Sequence, residues 1–212
     1  MKRFLTVGLL FFAITLQAQD MKTLFVALPD TLSPLLTKVN RQDFGDFLSC
    51  NMKAEVQNRF GKNSEMLKLT DDYLLLKMTS VSQVEMKLLP VNDSTQVICV
   101  SKTYNGPVSD TEISFYTTDW KRLPTSDFIS LPAADDFYLL PESQAGKDSL
   151  NSLKMQADLF LLKANLAEKD QSIQLLYTTP NYLDEVTAKT LSSHLRKEPL
   201  RYHWKGGRFV CE

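Results

Sequence analysis

Tyr73-Leu74-Leu75-Leu76-Lys77-Met78-Thr79, Gln83 to Val91, Gln96-Val97-Ile98-Cys99-Val100-Ser101-Lys102-Thr103-Tyr104 and Glu112 to Thr118 are successive β-rich runs, preceded by Leu67-Lys68-Leu69. The separators are Thr-Asp-Asp, Ser-Val-Ser, Asn-Asp-Ser-Thr and Asn-Gly-Pro, residues that favour tight turns. Connections this short predict antiparallel neighbours, because a parallel crossover needs roughly a dozen residues or more. Val84, Met86 and Leu88 share one strand face, with Glu85 and Lys87 on the other, whereas Val97 to Val100 is apolar on both. The pattern predicts an antiparallel meander whose middle strands are covered on both sides.

Toward the C-terminus, Asp158 to Leu166 and Ile173 to Thr178 predict a hairpin. Thr179-Pro180 reads as the start of a helix with Leu183, Val186, Thr190, Leu191 and Leu195 inward, stopped by Pro199. Leu200 to Lys205 and Arg208 to Cys211 form a closing strand pair around Gly206-Gly207, a favoured two-residue hairpin turn. Toward the N-terminus, residues 19–33 read as an extended arm carrying the apolar run Leu24 to Leu28. Ser33-Pro34 then predicts a helix to about Cys50, with Leu36, Val39, Phe47 and Cys50 on one face. Residues 124–156, with Pro124, Pro132 and Pro141, are the least regular stretch. The expected fold class is α+β, mainly antiparallel sheet with two helices, as one domain over 19–212. Asp72 to Lys77 resembles Asp158 to Lys163, and Trp120 to Leu123 resembles Trp204 to Phe209, which suggests related halves, 19–123 and 150–212, joined by an irregular 124–149.

Residues 1–18 have the layout of a secretory leader. Lys2 and Arg3 precede the apolar stretch Phe4 to Leu16, and Gln17-Ala18-Gln19 supplies a cleavage region, with the cut expected after Ala18. The apolar stretch would make a helix of roughly 20 Å, short of a bilayer core of about 30 Å. No cysteine follows the cleavage region, which argues against a lipid anchor. The expectation is a soluble periplasmic or secreted protein without a transmembrane segment. A net charge of −1, falling further once Lys2 and Arg3 leave, excludes a basic nucleic-acid-binding surface. Cys50, Cys99 and Cys211 allow at most one intramolecular disulfide. A Cys50–Cys211 bridge is open at this stage, while Cys99 reads as a small buried hydrophobe.

Chemistry-bearing motifs are sparse. His194 and His203 have no metal-ligand spacing around them, no Gly-x-Ser-x-Gly elbow occurs, and the glycines form no phosphate-binding loop. No metal or cofactor is expected. The acidic pairs Asp71-Asp72, Asp135-Asp136 and Asp184-Glu185 could serve glycoside hydrolysis across a cleft, but turns and helix starts favour acidic residues anyway. The aromatics have binding potential. Tyr202 and Trp204 share a face of the closing strand, and Tyr104, Tyr116 and Trp120 come from the meander. Exposed together, these five would make a platform for a sugar ring or a partner protein; buried, they are core.

The chain resembles a family of exported proteins of gut Bacteroidales known as a domain of unknown function. Leu35-Leu36-Thr37, Asn40-Arg41, Asp43, Asp46, Leu69-Thr70-Asp71-Asp72-Tyr73 and Val84-Glu85-Met86-Lys87-Leu88-Leu89-Pro90 carry the resemblance. Thr103-Tyr104-Asn105-Gly106-Pro107 and Arg201-Tyr202-His203-Trp204-Lys205 extend it, so that it covers nearly all of 21–210. No established activity comes with it. In such bacteria Asp-Ser/Thr followed by a small or apolar residue looks like an O-glycosylation acceptor, which the resemblance extends to Thr31, Ser94 and Ser149, all in predicted loops. The functional expectation is an exported, non-enzymatic protein that binds a protein or a glycan. The competing classes are a periplasmic hydrolase drawing residues from the 124–156 loop and a structural subunit associating through a strand edge.

Overall fold

The computed structural model describes residues 19–212, so the expected leader lies outside the described residues. Its centre is an antiparallel sheet in chain order: β1 (Glu55–Gln57), β2 (Asn63–Leu69), β3 (Tyr73–Thr79), β4 (Ser82–Pro90), β5 (Gln96–Asn105), β6 (Ser109–Thr117) and β7 (Arg122–Leu123). A second antiparallel sheet holds β8 (Leu162–Leu166), β9 (Ser172–Tyr177), β10 (Leu200–Lys205) and β11 (Arg208–Cys211), in the order β11-β10-β9-β8. Among the described residues there are four α-helices: α1 (Met21–Ala27), α2 (Lys38–Ser49), α3 (Gln144–Gln156) and α4 (Glu185–Ser192). The fold is α+β and mainly antiparallel sheet, with two more helices than the sequence suggested.

The meander is covered on both faces. On one, Leu74, Leu76, Val84, Met86, Ile98 and Val100 pack under α1 and α2. On the other, Leu89, Val97, Cys99 and Phe115 meet Ile173, Leu175, Tyr202 and Phe209 of the second sheet. Pairing of Met86 with Val100 and of Glu85 with Ser101 keeps each strand's alternation in phase, so neighbouring strands present the same residue classes to the same layer. A smaller cluster joins Tyr138, Leu150 and Leu191 beneath α3 and α4.

Several local expectations are corrected. The arm at 19–33 contains α1: Met21, Leu24, Phe25 and Leu28 are buried at helical spacing, and the Asp20 side chain accepts from the Thr23 amide at 2.8 Å. The next helix starts at Lys38 rather than Pro34, because Thr37 and Asn40 form a reciprocal capping box. That later start puts Arg41, Phe44 and Gly45 inward and leaves Val39 and Cys50 exposed. Arg41 is buried and donates to the Leu28 and Leu36 carbonyls and to Asp30, which ties the loop between α1 and α2 to α2. Residues 124–156 are not all irregular, since Ser143 caps α3. Thr179-Pro180 starts only a 3-10 turn. Asp184 then caps α4 through the Val186 and Thr187 amides, a new phase that leaves Val186 76% exposed. The predicted strand from Asp158 begins only at Leu162. The segments that suggested related halves differ locally: Trp120 sits in a turn after β6 with φ of 62°, Trp204 within β10.

Gly206-Gly207 makes the expected turn, with φ of 58° and 83°. A Cβ on Gly207 would also lie 3.2 Å from Val91 Cγ1, so this glycine lets the β10–β11 turn touch the β4–β5 turn. Gly207→Ala is expected to cost roughly 1–2 kcal/mol, whereas Gly206→Asn, at a position asparagine tolerates, stays close to wild type. Urea unfolding of the two variants checks this, and equal midpoints would contradict it.

Candidate functional site

β8 is the edge of the small sheet, and its outward amides should be unpaired. Each is met by a side chain of the large sheet. Leu162 N–H donates to Asp110 Oδ1 at 3.1 Å, Ala164 N–H to Thr111 Oγ1 at 3.1 Å, and Leu166 N–H to Glu85 Oε2 at 3.3 Å. Ser101 Oγ donates in return to the Ala164 carbonyl at 3.0 Å. The meander had Glu85 and Lys87 opposite Val84, Met86 and Leu88, and they are, but the small sheet covers that face. Glu85 is 5% and Lys87 2% exposed.

This seam holds the most perturbed titratable groups. Tyr73 Oη donates to Glu85 Oε1 at 2.9 Å. Burial pushes the Glu85 carboxyl above its usual range, against the bonds from Tyr73 and Leu166 and the charge of Lys163. Burial and the neighbouring Glu85 drive the Tyr73 phenol far up, so it remains a donor. The same two causes raise the Cys99 thiol, which removes it as a nucleophile. Lys87 pairs with Asp72 at 2.8 Å and donates to the Glu168 carbonyl at 2.9 Å. These groups satisfy one another and the β8 backbone, and the arrangement fastens two sheets.

The five aromatics do not form one platform. Tyr116 and Trp120 are buried on the helix side of the large sheet, where Trp120 Nε1 donates to the Leu24 carbonyl at 3.0 Å. Tyr202 and Trp204 are buried on the opposite face, between the sheets. Tyr104 alone is exposed, at 56%. The alternation that places Tyr202 and Trp204 on one face is intact, but that face looks inward. The acidic pairs serve locally: Asp135 binds Lys154 at 2.8 Å, Asp136 accepts from the Ala133 amide, and Asp184 caps α4. His203 pairs with Glu212 at 2.9 Å. Cys50, Cys99 and Cys211 are free; Cys50 follows α2 and Cys211 ends β11, on opposite sides of the large sheet. Among the described residues no group of three or more His, Cys, Asp or Glu side chains could hold a metal ion. Thr31, Ser94 and Ser149 are all exposed, but Ser149 lies within α3 and not in a loop.

A groove of about 1070 Å³ opens where the β4–β5 turn meets the β10–β11 turn. Trp204 Nε1 donates to the Pro90 carbonyl at 2.5 Å and holds the two turns together. Phe128 and Trp204 stack in its lining with centroids 6.2 Å apart and planes 11° from parallel, and Phe115 backs Phe128 at 4.8 Å. Asn92, Thr95, Gln96, Thr117, Thr118 and Gln171 contribute polar side chains, and Asp93 is the one charged side chain on this lining among the described residues. The 91–96 turn is pre-shaped: Val91 N–H donates to the Thr95 carbonyl at 2.8 Å, and Asn92 Oδ1 accepts from the Ser94 amide at 3.0 Å. The sequence marked these residues only as a strand separator, and Phe128 only as part of an irregular stretch. The Gly206-Gly207 turn and Trp204, one of the five candidate aromatics, are the local signals at this site.

Glu85 gives a test of the seam. Its raised proton affinity means that ionisation costs the folded state; the cost is absent below the ordinary glutamate value of 4.5 and grows as pH rises through the raised value. Glu85→Gln keeps an acceptor oxygen without the charge, so wild-type stability relative to this variant should fall as pH rises from below 4.5. Glu85→Ala strands the Leu166 amide and the Tyr73 hydroxyl, at about 1–3 kcal/mol for each group. Urea midpoints across pH check both; parallel profiles for wild type and Glu85→Gln would contradict the assignment.

No helix among the described residues is long and apolar enough to cross a membrane. The chain is similar in structure to a domain of an uncharacterized protein from Porphyromonas gingivalis W83, with a TM-score of 0.80 and 28% sequence identity over 92% of this chain and 99% of that one. None of the curated proteins matches the chain. Residues 13–209 match the family described as protein of unknown function (DUF3256), and the chain belongs to that family.

Proposed function

We propose that this chain is an exported, non-catalytic binding protein whose ligand, a glycan or another protein, sits in the groove between the β4–β5 and β10–β11 turns. The observation that carries the reading is the separation of two kinds of site. Glu85, Tyr73 and Cys99, three of the titratable groups that burial shifts upward, lie in the inter-sheet seam and serve its structure. The open groove instead offers uncharged polar side chains around an aromatic lining. An enzyme of the hydrolase class would need converging perturbed groups at an open cleft.

Export is supported by the Lys2-Arg3 start, the apolar Phe4 to Leu16 stretch and the Gln17-Ala18-Gln19 junction. Thr31, Ser94 and Ser149 have the exposure that sugar attachment requires. Assembly through a strand edge is the weaker reading. The outer strands β1 and β7 have three and two residues, β8 is docked, and the β11 amide of Phe209 donates to the Phe128 carbonyl at 2.7 Å.

Protein recovered from the exporting cell should lie outside the cytoplasm and begin at Gln19; retention of Met1 there would overturn the export reading. Adding a cell-envelope extract should shift the amide resonances of 91–96, 117–118 and 204–207 and leave those around Glu85 unmoved. Shifts centred on Glu85, accompanied by cleavage of an extract component, would replace binding with hydrolysis.

A further inference from the structure

The lining of the groove narrows the ligand class, and this step rests on the binding reading above. Backbone groups at the site are largely engaged already: Val91 and Asn92 N–H both go to the Thr95 carbonyl, Trp204 N–H to the Gln171 carbonyl, and Thr117 N–H to the Lys121 carbonyl. An extended peptide adding as a strand would need such groups free along an edge. Recognition therefore falls to the side-chain amides and hydroxyls of Asn92, Thr95, Gln96, Thr117, Thr118 and Gln171. Amides donate and accept at once, and hydroxyls do the same, which suits a ligand whose own groups are hydroxyls.

The apolar part of the lining combines Phe128 and Trp204 with Pro90, Val91, Val97 and Leu123. Phe128 is half-buried in the lining, and the Trp204 ring, 8% exposed, lies nearly parallel to it. Such a surface suits a ligand with an apolar face and a polar rim. Charge sets the last constraint. Among the described residues no lysine or arginine lines the groove to neutralise an anion, and Asp93 would repel one. A volume of about 1070 Å³ sits at the upper end of the roughly 300–1,000 Å³ of small-ligand pockets and accommodates more than a single small ring.

We infer that the groove between the β4–β5 and β10–β11 turns binds an uncharged oligosaccharide, one sugar face resting on the half-buried Phe128 ring and its hydroxyls held by the surrounding amides and hydroxyls. Asn92, Thr95, Thr118 and Gln171 are its specificity-determining side chains. The ligand chemistry is the same whether the sugar is free or attached to a protein.

The test is a binding array with the processed protein. It carries neutral glucans, mannans, galactans and xylans, the same sugars coupled to a carrier protein, sulfated and uronic-acid oligosaccharides, and unglycosylated peptides. Binding to neutral sugars is expected, with Thr118→Arg and Gln171→Arg each lowering affinity at least tenfold while circular dichroism stays unchanged. Tyr104→Ala, outside the groove, should bind as wild type does. A change in tryptophan emission on binding should report Trp204, the tryptophan on the groove side. Binding of free sugars identifies a free saccharide as the source, and binding of the coupled forms alone identifies a glycoprotein; both support the inference. Binding restricted to acidic sugars or peptides, abolished by Thr118→Arg, overturns the neutral-sugar inference and leaves the groove as a binding site. Binding unaffected by either arginine variant overturns the groove itself, and no binding anywhere on the array overturns the sugar inference.

Discussion

The edge of β8 ends in side chains, and the relation between the two sheets follows from that. A strand edge normally exposes alternate amides and carbonyls and is managed with short length, charge or cover. Here Asp110, Thr111 and Glu85 supply acceptors for Leu162, Ala164 and Leu166 at the spacing a neighbouring strand would use. The large sheet thereby acts as a partner for the small one through its face. Carrying out this role buries a carboxylate, and the seam is built around that cost: Tyr73 donates to Glu85. Lys87, nearby in the seam, has its own partner in Asp72.

With β8 fixed, the small sheet's far end comes over the β4–β5 turn. Trp204 then reaches the Pro90 carbonyl, Gly207 abuts Val91, and the groove is what remains between the turns. The groove is thus a consequence of how the sheets are docked, built on strand ends and a two-glycine turn whose geometry is set by the scaffold. Rigid strand termini with polar turn residues are a common way for a β-rich fold to present side chains to a ligand.

Much of this fold was legible because the signals are local. Alternation and turn-forming separators defined β3 to β6, continuous apolarity at Val97 to Val100 announced cover on both faces, and Gly206-Gly207 announced a hairpin. Errors arose where two periods compete over few residues. Leu24 to Leu28 looks like a strand when taken alone, and the helical spacing emerges only with Met21. A helix starting at Thr179 puts Val186 inward, and the Asp184 cap restarts its phase. The site was less legible than the fold. Glu85 and Lys87 have the alternation of a solvent-facing strand, and nothing near them in sequence shows that residues 162–166 lie over them. The aromatics do not group as their sequence positions suggest, because strand alternation assigns residues to a face without saying that Tyr116 and Tyr202 belong to different layers. The groove draws on residues 19, 90–97, 117, 118, 123, 128, 171, 204, 206 and 207, a set that only the docking of the two sheets assembles.

Amide hydrogen exchange at Leu162, Ala164 and Leu166 tests the side-chain docking of β8 most directly. These amides lie outside the β8–β9 ladder, so the account predicts protection comparable to that of the ladder amides of β9, lost selectively at Leu166 in Glu85→Ala. Exchange at the rate of a solvent-exposed strand edge in the wild-type protein would contradict it.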